Sequence, residues 1–206
     1  GWQEEDYTET EILCTKLCED EIVYGGEAAL ARTIIEARSL KVPVMFVLSA
    51  CGPEIVGDNI SSVCEEVSKK VDFKIVPIEC AGFRGSQYDG LDLALDATLA
   101  PLVKGGTEKV PGSVCLVAPH ANANPTWPAD LRWVKETLAR LGIPVVATLT
   151  NRSPLAEIER TSSAETSLLL SHDAGQGAAD RLASCFGTEQ VCRGIPLPLG
   201  MTTPAR

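Results

Sequence analysis

Histidine is nearly missing from this 206-residue chain: there are two, His120 and His172, and neither has a metal-type partner a few residues on. A histidine-based catalytic triad or zinc site therefore has little to stand on. Basic residues are also few. Eighteen Lys and Arg stand against 28 Asp and Glu, a formal net charge of −10, and no block of like positive charge occurs. Such a chain gains nothing from counterion release on a phosphate backbone, which excludes nucleic acid as an expected partner. No apolar run approaches the roughly 18–20 residues that span a bilayer, so no membrane partner is expected. The first residues, Gly1-Trp2-Gln3-Glu4-Glu5-Asp6, are acidic where a secretory signal is basic and then apolar, and a cytoplasmic location is expected. The nucleotide loops Gly-x-x-x-x-Gly-Lys-[Ser/Thr] and Gly-x-Gly-x-x-Gly are absent as well, although Tyr24-Gly25-Gly26-Glu27 has a superficial likeness to them. That segment reads instead as a helix entry, with Glu27 well placed against the helix dipole.

What is present is an ordinary globular composition, 45% hydrophobic and 22% charged, which excludes disorder. Cysteine is abundant, with eight at positions 14, 18, 51, 64, 80, 115, 185 and 192. The chain is long enough to bury roughly 70% of its unfolded surface, so it needs no disulfide framework. In a reduced compartment each cysteine is a buried apolar residue, a metal ligand or a reactive thiol. Cys64 and Cys115 lie in apolar-periodic segments and read as core.

Short β-rich runs alternate with helical stretches. Residues 42–48 form a continuous apolar run of the kind seen in a buried parallel strand. Residues 73–78, 113–118, 143–149 and 168–170 read as further strands. Helices are expected over 28–40, 61–70, 91–102, 129–141, 154–160 and 177–186. This alternation predicts an α/β fold of two Rossmann-like parallel domains, each with helices on both faces of its sheet. The Gly-rich, charged stretch 104–112 reads as a linker, dividing the chain into domains 1–107 and 108–206.

Two loops that leave strand ends could carry chemistry, because ligands of open α/β sheets bind at the carboxyl ends of strands. The first, residues 49–59, contains Cys51 followed by Gly52-Pro53. Cys51 is either a metal–sulfur ligand or a small residue in a crowded turn. The second, residues 80–87, contains Cys80, Gly82, Arg84, Gly85 and Gln87. It either holds an anionic cofactor arm or is a turn whose arginine pairs with a neighbouring carboxylate.

Taken together, the motifs resemble the nitrogenase component 1 family. Glu21-Ile22-Val23-Tyr24-Gly25-Gly26-Glu27 is similar to the family's D-I-V-x-G-G-E segment. Residues 49–59 resemble its S-x-C-x-x-x-x-I-G-D-D segment, and residues 80–87 resemble C-x-G-F-R-G-x-x-Q. Leu141-Gly142-Ile143, residues 153–159 and Pro198-Leu199-Gly200 match later landmarks in the same order. The resemblance implies a three-layer α/β/α architecture and use as nitrogenase, as a cofactor-assembly scaffold or as a dark-operative chlorophyll-type reductase. It implies a homologous or identical partner chain, in a dimer or heterotetramer, and electrons from an ATP-driven iron–sulfur reductase. Cys51 then matches a ligand of an iron–sulfur cluster held between subunits. Arg84, Gly85 and Gln87 match the cofactor-binding loop, Gln87 being a glutamine beside the cofactor.

The departures are specific. The region holding the family's first two cluster cysteines is absent, and Cys14 and Cys18 lie too far along to replace them. Leu91 stands where the family has a histidine, Ser171 falls near its cofactor-anchoring cysteine, and the third domain is missing. The chain is therefore expected to be a fragment or shortened relative of an oxidoreductase or assembly subunit, folded and metal-free when isolated. The alternative is a catalytically silent α/β module that binds a partner chain or small ligand.

Overall fold

The computed structural model describes residues 12–118, 126–150, 153–171 and 174–192, with Cys192 described by its backbone alone. His120, His172 and the segment 198–200 lie outside the described residues. In chain order the elements are α1 (Glu19–Tyr24), α2 (Glu27–Glu36) with a 3-10 turn (Ala37–Leu40), β1 (Val44–Leu48), α3 (Cys51–Val56), α4 (Ile60–Ser68), β2 (Lys74–Ile78), α5 (Gln87–Leu102), β3 (Val110–Val117), α6 (Trp127–Arg140), β4 (Val145–Leu149), α7 (Leu155–Glu159), a 3-10 turn (Thr161–Ser163), β5 (Ala164–Leu169), α8 (Gln176–Phe186) and β6 (Glu189–Cys192). Among the described residues no helix is long and apolar enough to cross a membrane. The chain forms two compact units that divide after Phe83.

In the first unit β1 and β2 pair in parallel, from Val44 beside Lys74 to Leu48 beside Ile78. One strand face carries Val47, which packs with Ile34 of α2 and with Val63, Cys64 and Val67 of α4. Those residues recur at helical spacing, so each helix turns one apolar stripe to the sheet. Alternate residues of β1 point the other way, and Phe46 and Leu48 remain exposed there.

A pair of carboxylates fastens these helices. Both oxygens of Asp58 accept hydrogen bonds from the Gly26 amide at the start of α2, at 3.0 and 2.8 Å. In return Glu27 accepts from the Asn59 amide at 2.9 Å, and Asn59 caps α4 by accepting from Ser62 at 2.9 Å. Glu27 thus serves the next helix as well as its own first turn. The fit requires glycine: a Cβ on Gly26 would come within 2.9 Å of both Asp58 Oδ2 and a Leu17 methyl. Gly25 adds a φ of +101°, open to glycine and costly for other residues.

The second unit is a parallel four-stranded sheet in the order β4-β3-β5-β6. Val114, Leu116 and Ala118 face α6, meeting Leu131, Val134 and Leu138. Cys115 and Val117 face the opposite layer, where Leu95 and Leu99 of α5, Ile158 of α7 and Leu182 of α8 close the core. The result is a three-layer α/β/α sandwich. Helix α5 is tied to α8 by charge: Arg181 pairs with Asp96, with Nη2 2.6 Å from Oδ2, and Asp92 accepts from the Gly175 and Gly177 amides at 3.0 Å. At the β4 edge of the sheet, Glu157 accepts from the Thr148 amide at 3.1 Å and Ser153 donates to the Thr148 carbonyl at 2.6 Å.

Two sequence expectations differ from this structure. The units divide at 83/84 and not at 107/108, because Leu99 and Leu102 of α5 are fully buried and Leu99 belongs to the second core. The stretch read as a linker is held within the second unit. Lys104 pairs with Glu159, Thr107 bonds Ser162 at 2.6 Å, and the Lys109 ammonium donates to the Ala164 carbonyl and to Thr188, each at 2.8 Å. Burial holds that ammonium below its ordinary pKa, with Glu165 opposing the shift.

The Asp58–Gly26 contact makes a direct prediction. Asp58→Ala should cost about 1–2 kcal/mol, as lost helix caps do, and Gly26→Ala about 1–3 kcal/mol through overpacking. Urea unfolding of both single variants and the double variant should show less than additive loss, since both changes break one contact.

Candidate functional site

Cys51 is the first residue of α3, immediately beyond β1, and its thiol is exposed. The sequence at 49–59 reads as a loop, but residues 51–56 form a short helix. Gly52-Pro53 obscures it, although proline is well tolerated in a first helical turn, where its missing N–H has no partner to lose. Gly57 ends the helix at φ +99°.

Glu54, a residue sequence reasoning overlooked, ties this helix to the loop after β2. Ser49 Oγ donates to Glu54, the Cys80 amide donates to Ser49 Oγ at 2.8 Å, and the Ala81 amide reaches Glu54 at 3.4 Å. The two strand-end loops are thereby joined, as their shared position in one sheet predicts. A Cβ on Gly82 would lie 3.5 Å from Cys51 Sγ, so the second loop passes directly beside the thiol. No local pattern marks Glu54, because the amide it meets lies 27 residues further along the chain.

The thiols differ sharply in environment. Cys64 and Cys115 are buried as expected; burial pushes the first up to about 11, and burial together with the Glu157 charge pushes the second up to about 12. Cys14, Cys18, Cys51 and Cys185 are exposed, and Cys80 is half-buried. Among the described residues no group of three or more His, Cys, Asp or Glu side chains converges as a metal site. Described ligands of this chain alone do not fit a complete iron–sulfur cluster, which normally requires four cysteines.

Arg84, Gly85 and Gln87 lie at the start of the second unit, and all three are exposed. Gln87 opens α5, with Ser86 as its cap: Ser86 Oγ accepts from the Asp89 amide at 3.4 Å, and the Ser86 amide and hydroxyl donate to Asp89 Oδ2 at 2.6 and 2.8 Å. This reciprocal cap starts the helix earlier than its apolar period indicates. Gly85 has a local reason to be glycine, since a Cβ there would meet Asp89 Oδ2 at 2.6 Å.

The sequence profile of the family described as Nitrogenase component 1 type Oxidoreductase matches residues 3–204. The chain belongs to this family. Among its relatives, the nitrogenase molybdenum-iron protein alpha chain of Methanosarcina barkeri is 30% identical over 166 residues, spanning 78% of this chain and 30% of that protein. The nitrogenase iron-molybdenum cofactor biosynthesis protein NifE of Clostridium pasteurianum is 30% identical over 156 residues, spanning 75% of this chain and 33% of that one. Among solved structures, nitrogenase Cp1 at pH 6.5 superposes with a TM-score of 0.72 at 23% identity, covering 88% of this chain and 35% of that chain. The two parallel α/β units are therefore those of a nitrogenase component 1 protein, and this chain spans about a third of the length of the relatives it matches. The Gly25-Gly26 and Asp58 positions of the family-like motifs are a structural fastening in this member.

Two measurements check the site. Alkylation of the reduced, folded protein at pH 8 should label Cys51 quickly and leave Cys64 and Cys115 unlabelled until denaturant is added, as read by peptide mass mapping. Asp89 supplies the second. Bonds from the Ser86 amide and then its hydroxyl hold the Asp89 carboxyl below its ordinary value of 3.8. Its stabilisation is present above that value and is lost as pH falls through the lower, folded-state pKa. Asp89→Asn should therefore be less stable than the parent at pH 7, with the gap closing as both are acidified below 3.8 in thermal unfolding.

Proposed function

We propose that this chain is a subunit, or part of one, of a nitrogenase-like oxidoreductase or cofactor-assembly scaffold, and that Cys51 supplies one ligand of an iron–sulfur cluster at a subunit interface. The observation that carries the reading is the surface around this thiol. Cys51 is exposed at the carboxyl end of β1, and on its own short helix Ile55 is 75% exposed and Val56 40%. Helix α1 packs against α3 and adds Ile22, Val23 and Tyr24, also exposed. Exposed apolar surface of this kind is typical of an interface. A thiol within it is placed to share a ligand set with another chain.

In this reading the bound cluster supplies electron transfer. The chain's own residues position the thiol: Glu54 and Ser49 fix the neighbouring loop, and Asp58 anchors the exit of α3 to α2. Arg84, Gly85 and Gln87 form part of the cofactor or substrate cleft, with Arg84 as the cation for an anionic cofactor group. The partner is a homologous chain or a second copy, and an ATP-driven iron–sulfur protein is the reductase. The competing reading is a catalytically silent module binding a partner or small ligand at the same surface. It draws support from the lack of converging ligands among the described residues.

Anaerobic iron–sulfur reconstitution separates the two. The chain alone should retain little or no iron and acid-labile sulfide. With a homologous partner chain supplying the remaining cysteines, iron should bind, and Cys51→Ala should abolish that binding. Stoichiometric iron in the Cys51→Ala complex would show that the thiol is structural. A partner complex that forms without iron would favour the silent module.

A further inference from the structure

Two exposed thiols lie outside the site just described. Cys14 and Cys18 belong to a segment without regular hydrogen bonding that leads into α1. Both sulfurs rest on the backbone of the same residue. The Lys16 amide donates to Cys14 Sγ at 3.5 Å, and Cys18 Sγ donates to the Lys16 carbonyl at 3.6 Å. Lys16 makes this turn with a φ of +51°, one of two non-glycine residues with positive φ among those described. Strained backbone of this type persists where the surroundings hold it, and often where function uses it. The thiols also line one open cavity of about 680 Å³, which Arg32 shares, so a small molecule can reach both.

We propose that Cys14 and Cys18 are a dithiol that closes reversibly to a disulfide by exchange with a low-molecular-weight disulfide. The two roles differ. Cys14 Sγ accepts the Lys16 N–H bond, whereas the Cys18 thiol donates to the Lys16 carbonyl, and Lys16, Arg32, Glu21 and Glu36 line the same cavity. Cys14 therefore attacks one sulfur of the small disulfide, forming a mixed disulfide and expelling one thiolate, which takes up a proton. Cys18 then loses its proton, attacks Cys14 Sγ and expels the second small thiol. Two protein thiols are oxidised to one disulfide, and one small disulfide is reduced to two thiols. No strand has to break, and the helix bonds nearest the change are those that open α1, where the Cys18 carbonyl accepts from the Ile22 amide at 3.1 Å and the Cys18 amide donates to Glu21 at 2.9 Å. Of the other cysteines, Cys64 and Cys115 are buried and cannot compete.

Oxidised glutathione is the probe, added to the reduced full chain under anaerobic conditions and followed by acid quenching, alkylation and mass mapping. Lys16 lies between the two cysteines, so trypsin separates residues 1–16 from 17–32, and a disulfide keeps the two peptides joined. The expected result is that joined pair, with the loss of two hydrogens and no retained glutathione. Cys18→Ser should stop the reaction at one glutathione on Cys14, and Cys14→Ser should abolish the joined product. Stable separate glutathione adducts on Cys14 and Cys18 in the parent protein would overturn the proposal. So would an oxidised product that survives in Cys14→Ser, since it would come from another pair. Because no iron is needed, the outcome is independent of the role of Cys51.

Discussion

Carboxylates set against glycine amides hold the described elements in place. In the first unit Asp58 reaches back over 32 residues to the Gly26 amide, and in the second Asp92 reaches forward to Gly175 and Gly177. In both cases a distant acidic side chain satisfies N–H groups that a helix start leaves unpaired, and does so with favourable charge. At Gly26 a Cβ would come within 2.9 Å of the Asp58 oxygen, at Gly177 it would lie a tight 3.3 Å from Asp92, and Gly175 is set apart by its φ of +97°. The crossing of α2 with α4, and of α5 with α8, depends on these contacts as well as on the apolar stripes between them. Hydrophobic burial supplies most of the stability. It lacks direction, and the carboxylates supply the registration.

Much of the second sheet was legible in the sequence, since continuous apolar runs bounded by turns identify buried parallel strands. The helix ends and the short elements were harder. Periodicity marks α5 only from Leu91 onward, whereas its start is set by a polar pair, Ser86 and Asp89, that precedes the first periodic leucine. Helix α3 was hidden by Gly52-Pro53, and the four-residue β6 is too short to show a period. The division between units was misplaced for a different reason. Composition marks the flexible-looking stretch 104–112, but composition carries no information about which sheet buries Leu99.

The candidate site was legible in part. The strand-end location of Cys51 and its closeness to the second loop follow from α/β topology alone, and the fate of Cys64 and Cys115 follows from their apolar periods. The roles of Glu54 and Asp58 do not. Each depends on an amide from a segment roughly 30 residues away, and no local pattern encodes such a meeting. The family motif Gly25-Gly26 illustrates the point. Read locally it is a helix entry; in the folded chain it is also the receptor for a carboxylate 32 residues away.

The treatment of β4 has a further consequence. As the outermost strand of a four-stranded parallel sheet, it would present free amides and carbonyls to any passing chain, the usual template for uncontrolled strand addition. Glu157 already occupies the outward amide of Thr148, and Ser153 occupies its carbonyl. A foreign strand would have to displace a charge and a hydroxyl at the same residue before it gained a hydrogen bond there. Strand addition at the β4 edge is thus disfavoured at Thr148, so that this border is protected from uncontrolled pairing.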